Sequence, residues 1–364
     1  MDWRNRAGCD SGEAIASLRR GVPVKSREIH LVRRPTGTPV GEDFATVARD
    51  VASPGEGEVL VRNLWMAVDP AMRGRMDDAK SYVPPFALDA PMEGPAIGEV
   101  LASNDPDFAP GDRVFSRLGW REAFVAPGTA LQKRDCSVLP PQAYLGFAGM
   151  TGLTAYAGLF RVGQLKPGDV VFVSAASGGV GSLVCQMAKL KGHQVIGAAG
   201  GEAKAAFLRD RLRLDGVIDY KAEPNLTKAL AREAKALGTE GVDLYFDNVG
   251  GDHLHAAIAV AKPFARMAIC GMISQYNSAG QVTPPRNLTL IMGKRLRLEG
   301  FIALDHFDLE PHFLADVKAW HQAGLLEPVE TVFDGIDHAL DAFNALFDGS
   351  SMGRTLVRLE SGRE

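Results

Sequence analysis

The stretch Val170–Lys189, VVFVSAASGGVGSLVCQMAK, constrains the fold of this 364-residue chain more than any other. Val170–Val173 is a short apolar run rich in β-branched residues, the kind a strand buried on both faces requires. From Val180 the period changes. Val180, Leu183, Val184, Met187 and Ala188 fall at i, i+3, i+4, i+7 and i+8, one apolar helical face that Gly192 can close. Between strand and helix lies Ala175-Ala176-Ser177-Gly178-Gly179-Val180-Gly181. Glycines there let the backbone turn tightly and approach a ligand, while the unpaired N–H groups and dipole of a helix start attract an anion. A strand feeding a glycine-rich turn and then a helix is the setting of a dinucleotide site. Ala176 stands where the first glycine of that fingerprint falls, and taken alone the variant also suits a plain strand-to-helix turn.

The chain on either side decides between these readings. Upstream, Arg27–Val32, Phe44–Val51, Glu58–Val68, Gly94–Leu101 and Asp112–Phe115 read as short strands. Pro35-Thr36-Gly37-Thr38-Pro39, Pro54-Gly55-Glu56-Gly57 and Pro110-Gly111-Asp112 punctuate them, which predicts a compact, barrel-like β domain. Met1–Lys25 has little periodicity and reads as a loosely held extension. Downstream the texture shifts at Tyr144, and Leu145–Leu159 is helix-compatible. After the glycine turn, strands at Gln194–Ala198, Gly216–Asp219, Val242–Asp247, Arg266–Cys270 and Arg297–Ile302 follow. They alternate with helical patterning over Glu202–Leu214, Asn225–Leu237 and Asp252–Val260. Such alternation predicts an α/β unit with a doubly wound parallel sheet. Leu309–Ala323 reads as a helix returning the chain and Thr355–Leu359 as a last strand rejoining the first domain. The expected layout is a β-rich domain over 1–143, a doubly wound dinucleotide-binding (Rossmann) domain over 144–310, and a return to the first domain over 311–364.

Composition removes other classes. A formal charge of −4 and 46% apolar residues leave no nucleic-acid or membrane-surface footprint. Met1–Gly21 lacks an apolar signal core, and no run approaches membrane-spanning length. The four cysteines, Cys9, Cys136, Cys185 and Cys270, lie far apart and support neither a zinc ribbon nor a disulfide framework. A cytoplasmic protein with reduced thiols is expected. A zinc alcohol dehydrogenase needs clustered Cys, His and acidic ligands, and the first domain offers only Cys9, His30 and Cys136. His253 and His255 share a helix without further ligands. No tyrosine is followed four residues later by lysine, and there is no Gly-x-Ser-x-Gly elbow. Hydride transfer here is expected to proceed without metal and without a tyrosine–lysine pair.

Cofactor choice is read at the tip of the second strand, where an NAD-specific site places an acid for the ribose 2′-hydroxyl. That tip is Ala198-Ala199-Gly200-Gly201, which is neutral. Glu202 follows it, but an acid there is better explained by the dipole at the start of a helix than by a ribose contact. Lys204 can meet a 2′-phosphate as a point charge, or simply be a solvated helix lysine. The missing acid favours NADP. Asp247-Asn248-Val249-Gly250-Gly251 ends the fourth strand, where ligands sit in this architecture, and Asn248 can both donate and accept.

From Arg27 to Leu359 the chain resembles the zinc-independent medium-chain dehydrogenase/reductases, in their prostaglandin reductase and alkenal double-bond reductase branch, which includes curcumin reductase-like proteins. The resemblance rests on Arg34–Gly37, Val68-Asp69-Pro70-Ala71-Met72-Arg73-Gly74-Arg75-Met76, Gly149–Tyr156, the glycine turn, Tyr245–Gly251 and Glu299-Gly300-Phe301. It implies a GroES-like β domain beside the Rossmann sheet. It also implies that Gly178, Gly179, Val180 and Gly181 wrap the pyrophosphate of NADPH, with Lys204 and Tyr220 at the 2′-phosphate. Asn248, Cys270, Gly271, Met272 and Tyr276 would border the nicotinamide side, with Met150 and Thr151 flanking the ring. Phe301, Ile302 and Ala303 would meet the carboxamide. Tyr82 and Tyr276 are expected in the substrate pocket, Tyr276 either hydrogen-bonding an enone oxygen or serving as pocket wall. Ser351 stands where the family carries asparagine. The implied activity is NADPH-dependent reduction of the C=C bond of enones and alkenals, with a quinone reductase or a catalytically idle NADPH-binding protein as alternatives. The partners expected are a small-molecule substrate and, through the Arg297–Ile302 edge, a second copy in a homodimer.

Overall fold

The structure, a computed structural model, describes residues 23–278 and 284–359. These form two compact units. One holds the described residues up to Leu145, with Val332–Leu346 and the chain from Thr355 on; the other holds Gly146–Thr331 and Phe347–Arg354.

In the first unit, β1 (Val24–Leu31), β2 (Phe44–Val51) and β4 (Ala90–Pro91) form a three-stranded sheet, with β1 in the middle. A larger sheet is built on β3 (Glu58–Ala67), β5 (Ala96–Ser103), β6 (Arg113–Ser116), β7 (Ala123–Pro127) and β8 (Gln132–Lys133). It is completed by β15 (Glu330–Asp334) and β16 (Arg354–Arg358) in the order β15-β16-β3-β5-β6-β8, with β7 also on β3. β3 is buried on both faces along most of its length, which is why apolar residues dominate it apart from Glu58, Arg62 and Asn63. Val59 and Val61 pack with Val100, Val114 and Phe124, while Leu60 packs with Val24, Leu101 and Ala123 on the other side. The β3–β5 ladder slips register twice, after Leu60 and after Asn63, the kind of irregularity that bends a sheet toward closure. Two motifs of the sequence lock together here. The buried Arg73 guanidinium donates to the carbonyls of Gly37 at 3.0 Å and Pro35 at 3.3 Å and pairs with Asp77, while Arg34 reaches the Met76 carbonyl. Arg75 holds the following loop, donating to the Pro84 carbonyl and lying over the Phe86 ring.

The second unit is the doubly wound sheet. Its strands are β9 (Val170–Val173), β10 (Gln194–Ala199), β11 (Gly216–Asp219), β12 (Val242–Asp247), β13 (Ala261–Ile269) and β14 (Arg297–Gly300). All pairings are parallel, in the order β11-β10-β9-β12-β13-β14. Phe172 of β9 stacks on Tyr245 of β12 at 4.9 Å between centroids within the core, covered by Leu230, Leu254 and Ile258 from the crossover helices. The direction of winding reverses between β9 and β12, so the ligand crevice of this architecture lies beyond their carboxyl ends.

Several expectations need correction. Most of the supposed extension Met1–Lys25 lies outside the described residues, and Val24 and Lys25 already belong to β1. The helix read over Leu145–Leu159 begins at Met150 and widens into a π turn over Ala157–Val162. Gly158 permits this path, since a Cβ there would come within 2.5 Å of both Phe246 and Phe301. Glu202–Leu214 is likewise a five-residue α-helix continuing as a π turn over Phe207–Arg211. Strands β7 and β15 and the helices Thr289–Lys294 and Ala339–Asp348 were not expected. β15 (ETVFD) is half-buried or exposed throughout and β7 (AFVAP) is apolar at every position, so neither displays an alternating apolar pattern.

Candidate active site

The glycine turn opens at the end of β9. Ala175 takes a left-handed φ of +46°, and Ala176 continues fully buried, its N–H donating to the Ala198 carbonyl at 2.9 Å. Alanine is accommodated in place of the fingerprint glycine because the neighbouring β10 residue is Gly197, where a Cβ would stand 2.9 Å from that of Ala176. Gly178 caps the helix Gly179–Leu190 in extended conformation. A Cβ on Gly181 would run into the Ala175 carbonyl oxygen, so the helix can start this close to the strand only with glycine there. Gly179 faces Thr151, whose Cγ2 lies 3.5 Å from where its Cβ would be; Thr151 is buried and Met150 beside it is exposed. The segment carrying Ser351 returns to the same turn. Gly353 donates its N–H to the Ser177 carbonyl at 2.7 Å and forms a bridge with Gly178.

Beyond β12 a buried network fixes the second wall of the crevice. Asp247 is fully buried, and its Oδ1 accepts the Tyr245 hydroxyl at 2.7 Å and the N–H groups of Val249 and Gly250 at 2.9 and 2.8 Å. Burial pushes its carboxyl above the usual aspartate range, and those bonds act in the opposite direction. Asn248 is tied across the switch point, its Nδ2 donating to the Ser174 carbonyl at 2.7 Å and its N–H to Ser174 Oγ at 2.9 Å. The N–H groups of Cys270 and Gly271 both donate to the Asp247 carbonyl. Burial, then the charge of Asp247, push the Cys270 thiol up to about 12, which leaves it protonated and unreactive at neutral pH. Tyr276 turns its hydroxyl toward its own loop, accepting the Met272 N–H at 3.3 Å. After β14, Phe301 donates its N–H to Ile269 and packs edge-on to Phe246, leading to Ile302 and the buried Ala303. Tyr82, in the first unit, is 62% exposed.

At the tip of β10 two glycines let a tyrosine and two lysines approach the backbone closely. A Cβ on Gly200 would meet Tyr220 Oη at 2.6 Å and Lys221 Cε at 3.1 Å, and one on Gly349 would lie 3.6 Å from Lys221 Nζ and 4.0 Å from Lys204 Nζ. Asp219 supplies the local frame by accepting the N–H groups of Gly201 at 2.7 Å and Lys221 at 3.0 Å. Burial, and then the charge of Lys221, pull the Lys204 ammonium below the ordinary lysine value, with Asp348 pulling the other way. Two ammonium groups and a phenol ring gathered there can hold a phosphate beside an adenosine. Of these residues the sequence reading named Lys204 and Tyr220; Asp219 and Lys221 flank Tyr220 in the chain and were passed over, and Asp348 comes from a distant segment that no local pattern marks. Among the described residues no group of three or more His, Cys, Asp or Glu side chains is placed to hold a metal ion.

A parallel sheet in this strand order, a glycine turn at its switch point and a separate antiparallel β unit define the medium-chain dehydrogenase/reductase class. The comparisons with known proteins agree. Residues 27–134 match the family described as the N-terminal domain of oxidoreductase, and residues 179–318 the family described as zinc-binding dehydrogenase. A Bacillus subtilis protein named putative NADP-dependent oxidoreductase YfmJ is 42% identical over 340 residues, 93% of this chain and 99% of that one. The NADP(+)-dependent 2-alkenal reductase of Nicotiana tabacum is 39% identical over 92% of this chain and 97% of its own length. The crystal structure of CurA from Vibrio vulnificus in complex with NADPH superposes with a TM-score of 0.85 at 38% identity, covering 92% of this chain and all of that one. The chain belongs to this family, the zinc-independent branch of medium-chain dehydrogenase/reductases that contains the alkenal and prostaglandin reductases.

Proposed function

We propose that the protein is an NADPH-dependent reductase of the activated C=C bond of α,β-unsaturated aldehydes and ketones. The observation that carries the cofactor is the convergence of Lys204, Lys221 and Tyr220 on Gly200 and Gly349, with no acid in the residues Ala198–Gly201 that end β10. The bond acted on follows from family membership alongside 2-alkenal reductase.

Bound NADPH supplies the hydride, which the β-carbon of the enone receives. The chain's own residues bind and orient. Gly178, Gly179, Val180 and Gly181 hold the pyrophosphate at the helix start. Asn248, fixed by Ser174, and the segment Cys270–Met272, fixed by Asp247, form one border of the nicotinamide side; Met150 and Thr151 form another. Phe301, Ile302 and Ala303 meet the carboxamide. Ser351, on the segment tied to Ser177 through Gly353, offers a shorter side chain than asparagine to the cofactor. Tyr276 donates a hydrogen bond to the carbonyl oxygen as it becomes an enolate. The α-carbon then takes a proton from solvent or a pocket hydroxyl.

The same reading makes the protein a cytoplasmic homodimer. No described helix is long and apolar enough to cross a membrane. β14 ends the sheet, and the neighbouring Leu288, Leu290 and Met292 are exposed, which supports pairing through that edge; a monomer mass by light scattering would remove that part. The activity is tested by NADPH oxidation across alkenals, aryl enones and quinones. Turnover of enones with saturation of the C=C bond in the product is expected. Quinones reduced far faster than any enone would make it a quinone reductase, and tight NADPH binding without turnover of any acceptor would make it an idle binding protein.

A further inference from the structure

We propose that Lys221 is a second cation for the cofactor's 2′-phosphate and that Asp348 tunes the site by opposing that phosphate; this rests on the reading of NADPH as cofactor. Lys221 and Lys204 come from different crossover segments, yet both ammonium nitrogens lie within 4.0 Å of the point where a side chain on Gly349 would begin. Like charges brought to one point are unfavourable unless an anion shares them. The backbone of Lys221 is held by Asp219, and that of Tyr220 by the Ala199 carbonyl at 3.1 Å, so this arrangement belongs to the frame of the sheet.

The resident anion is Asp348, exposed and fixed by the Ser350 N–H, which donates to its Oδ1 at 2.7 Å. Hydrogen bonds from Ser350, then the charges of Lys204 and Lys221, hold its carboxyl below the usual aspartate range. Two ammoniums facing one carboxylate leave an excess positive charge, which suits a phosphate carrying about −1.5 to −2. The same carboxylate repels that phosphate when it arrives. Lys221 and Asp348 should therefore act on cofactor affinity with opposite signs, and only on the phosphorylated cofactor. Both effects should shrink with salt, since the groups are partly solvated.

The experiment measures equilibrium binding of NADPH, NADH and adenosine 2′,5′-bisphosphate by calorimetry. Lys221→Ala is expected to weaken NADPH and the bisphosphate by about 5–20-fold and to leave NADH within about twofold. Lys221→Arg should restore most of the loss. Asp348→Asn keeps an oxygen for the Ser350 N–H and is expected to tighten NADPH by about 2–5-fold, with NADH unmoved. Equal losses for NADPH and NADH in Lys221→Ala, or a weaker NADPH complex in Asp348→Asn, would overturn the proposal. A wild type that binds NADPH no better than NADH and ignores the bisphosphate would instead sink the cofactor reading. A wild type that prefers NADPH, with Lys221→Ala unchanged, would sink only the role of Lys221.

Discussion

Tyr276 illustrates what single residues contribute. Its oxygen accepts the Met272 N–H, and a Cβ on Gly271 would stand 3.2 Å from it, so the ring is held by its own loop. A hydroxyl that accepts an N–H is polarised into a better donor, which suits stabilisation of a developing enolate. Tyr276→Phe is expected to slow single-turnover hydride transfer to an aryl enone by ~10–100-fold, at the lower end of the loss of one such donor. NADPH affinity should change little, and stability should fall by no more than about 1 kcal/mol for the lost Met272 bond. A mutant rate within about twofold of wild type would leave Tyr276 as a pocket wall. At this scale the sequence was legible where residue type and local spacing carry the message, as at Gly178–Gly181. It was silent where partners come from elsewhere: Gly197 making room for Ala176, or Asp219 fixing the backbone of Lys221.

Among the elements, the strand–turn–helix of β9 was readable because both periods and the glycines between them are local properties. The π turns were not, because a widened turn leaves the apolar pattern of a helix nearly intact while moving its end. The turn's dependence on Gly181 gives a direct check. Alanine would gain about 1 kcal/mol of helix propensity but would collide with the Ala175 backbone, and overpacking of that kind costs about 1–3 kcal/mol. Gly181→Ala should therefore unfold slightly earlier in urea, and it should lose at least about tenfold in NADPH affinity as the helix start shifts. Unchanged NADPH affinity would mean that the close approach at Gly181 does not shape the cofactor site.

For the whole molecule, the division into an antiparallel β unit and a parallel α/β unit was legible in the change of punctuation near Tyr144. The exposed β15 and the contribution of Phe347–Arg354 to the second unit were not, since neither follows from periodicity. Stability should respond to acid through a core histidine. His253 is buried edge-on to Tyr220, its Nε2 has no hydrogen-bond partner, and burial pulls its pKa from 6.5 to about 4. Because the folded value lies below the unfolded one, the unfolded state takes up the proton first. The contribution is intact above about pH 6.5 and is lost as pH falls toward 4, with about 2 kcal/mol gone between pH 7 and pH 5. Urea unfolding at those two pH values checks it: His253→Phe should reduce the drop by roughly that amount, and an identical drop in mutant and wild type would show that the histidine is not involved. The bridge between Gly178 and Gly353 has a consequence for how the protein is made. The ribosome delivers the turn before the segment that braces it, because every strand of the parallel sheet precedes Gly353 in the chain. A nascent chain can thus assemble the parallel sheet while its glycine turn still lacks this support, and the turn is braced only once Gly353 has emerged.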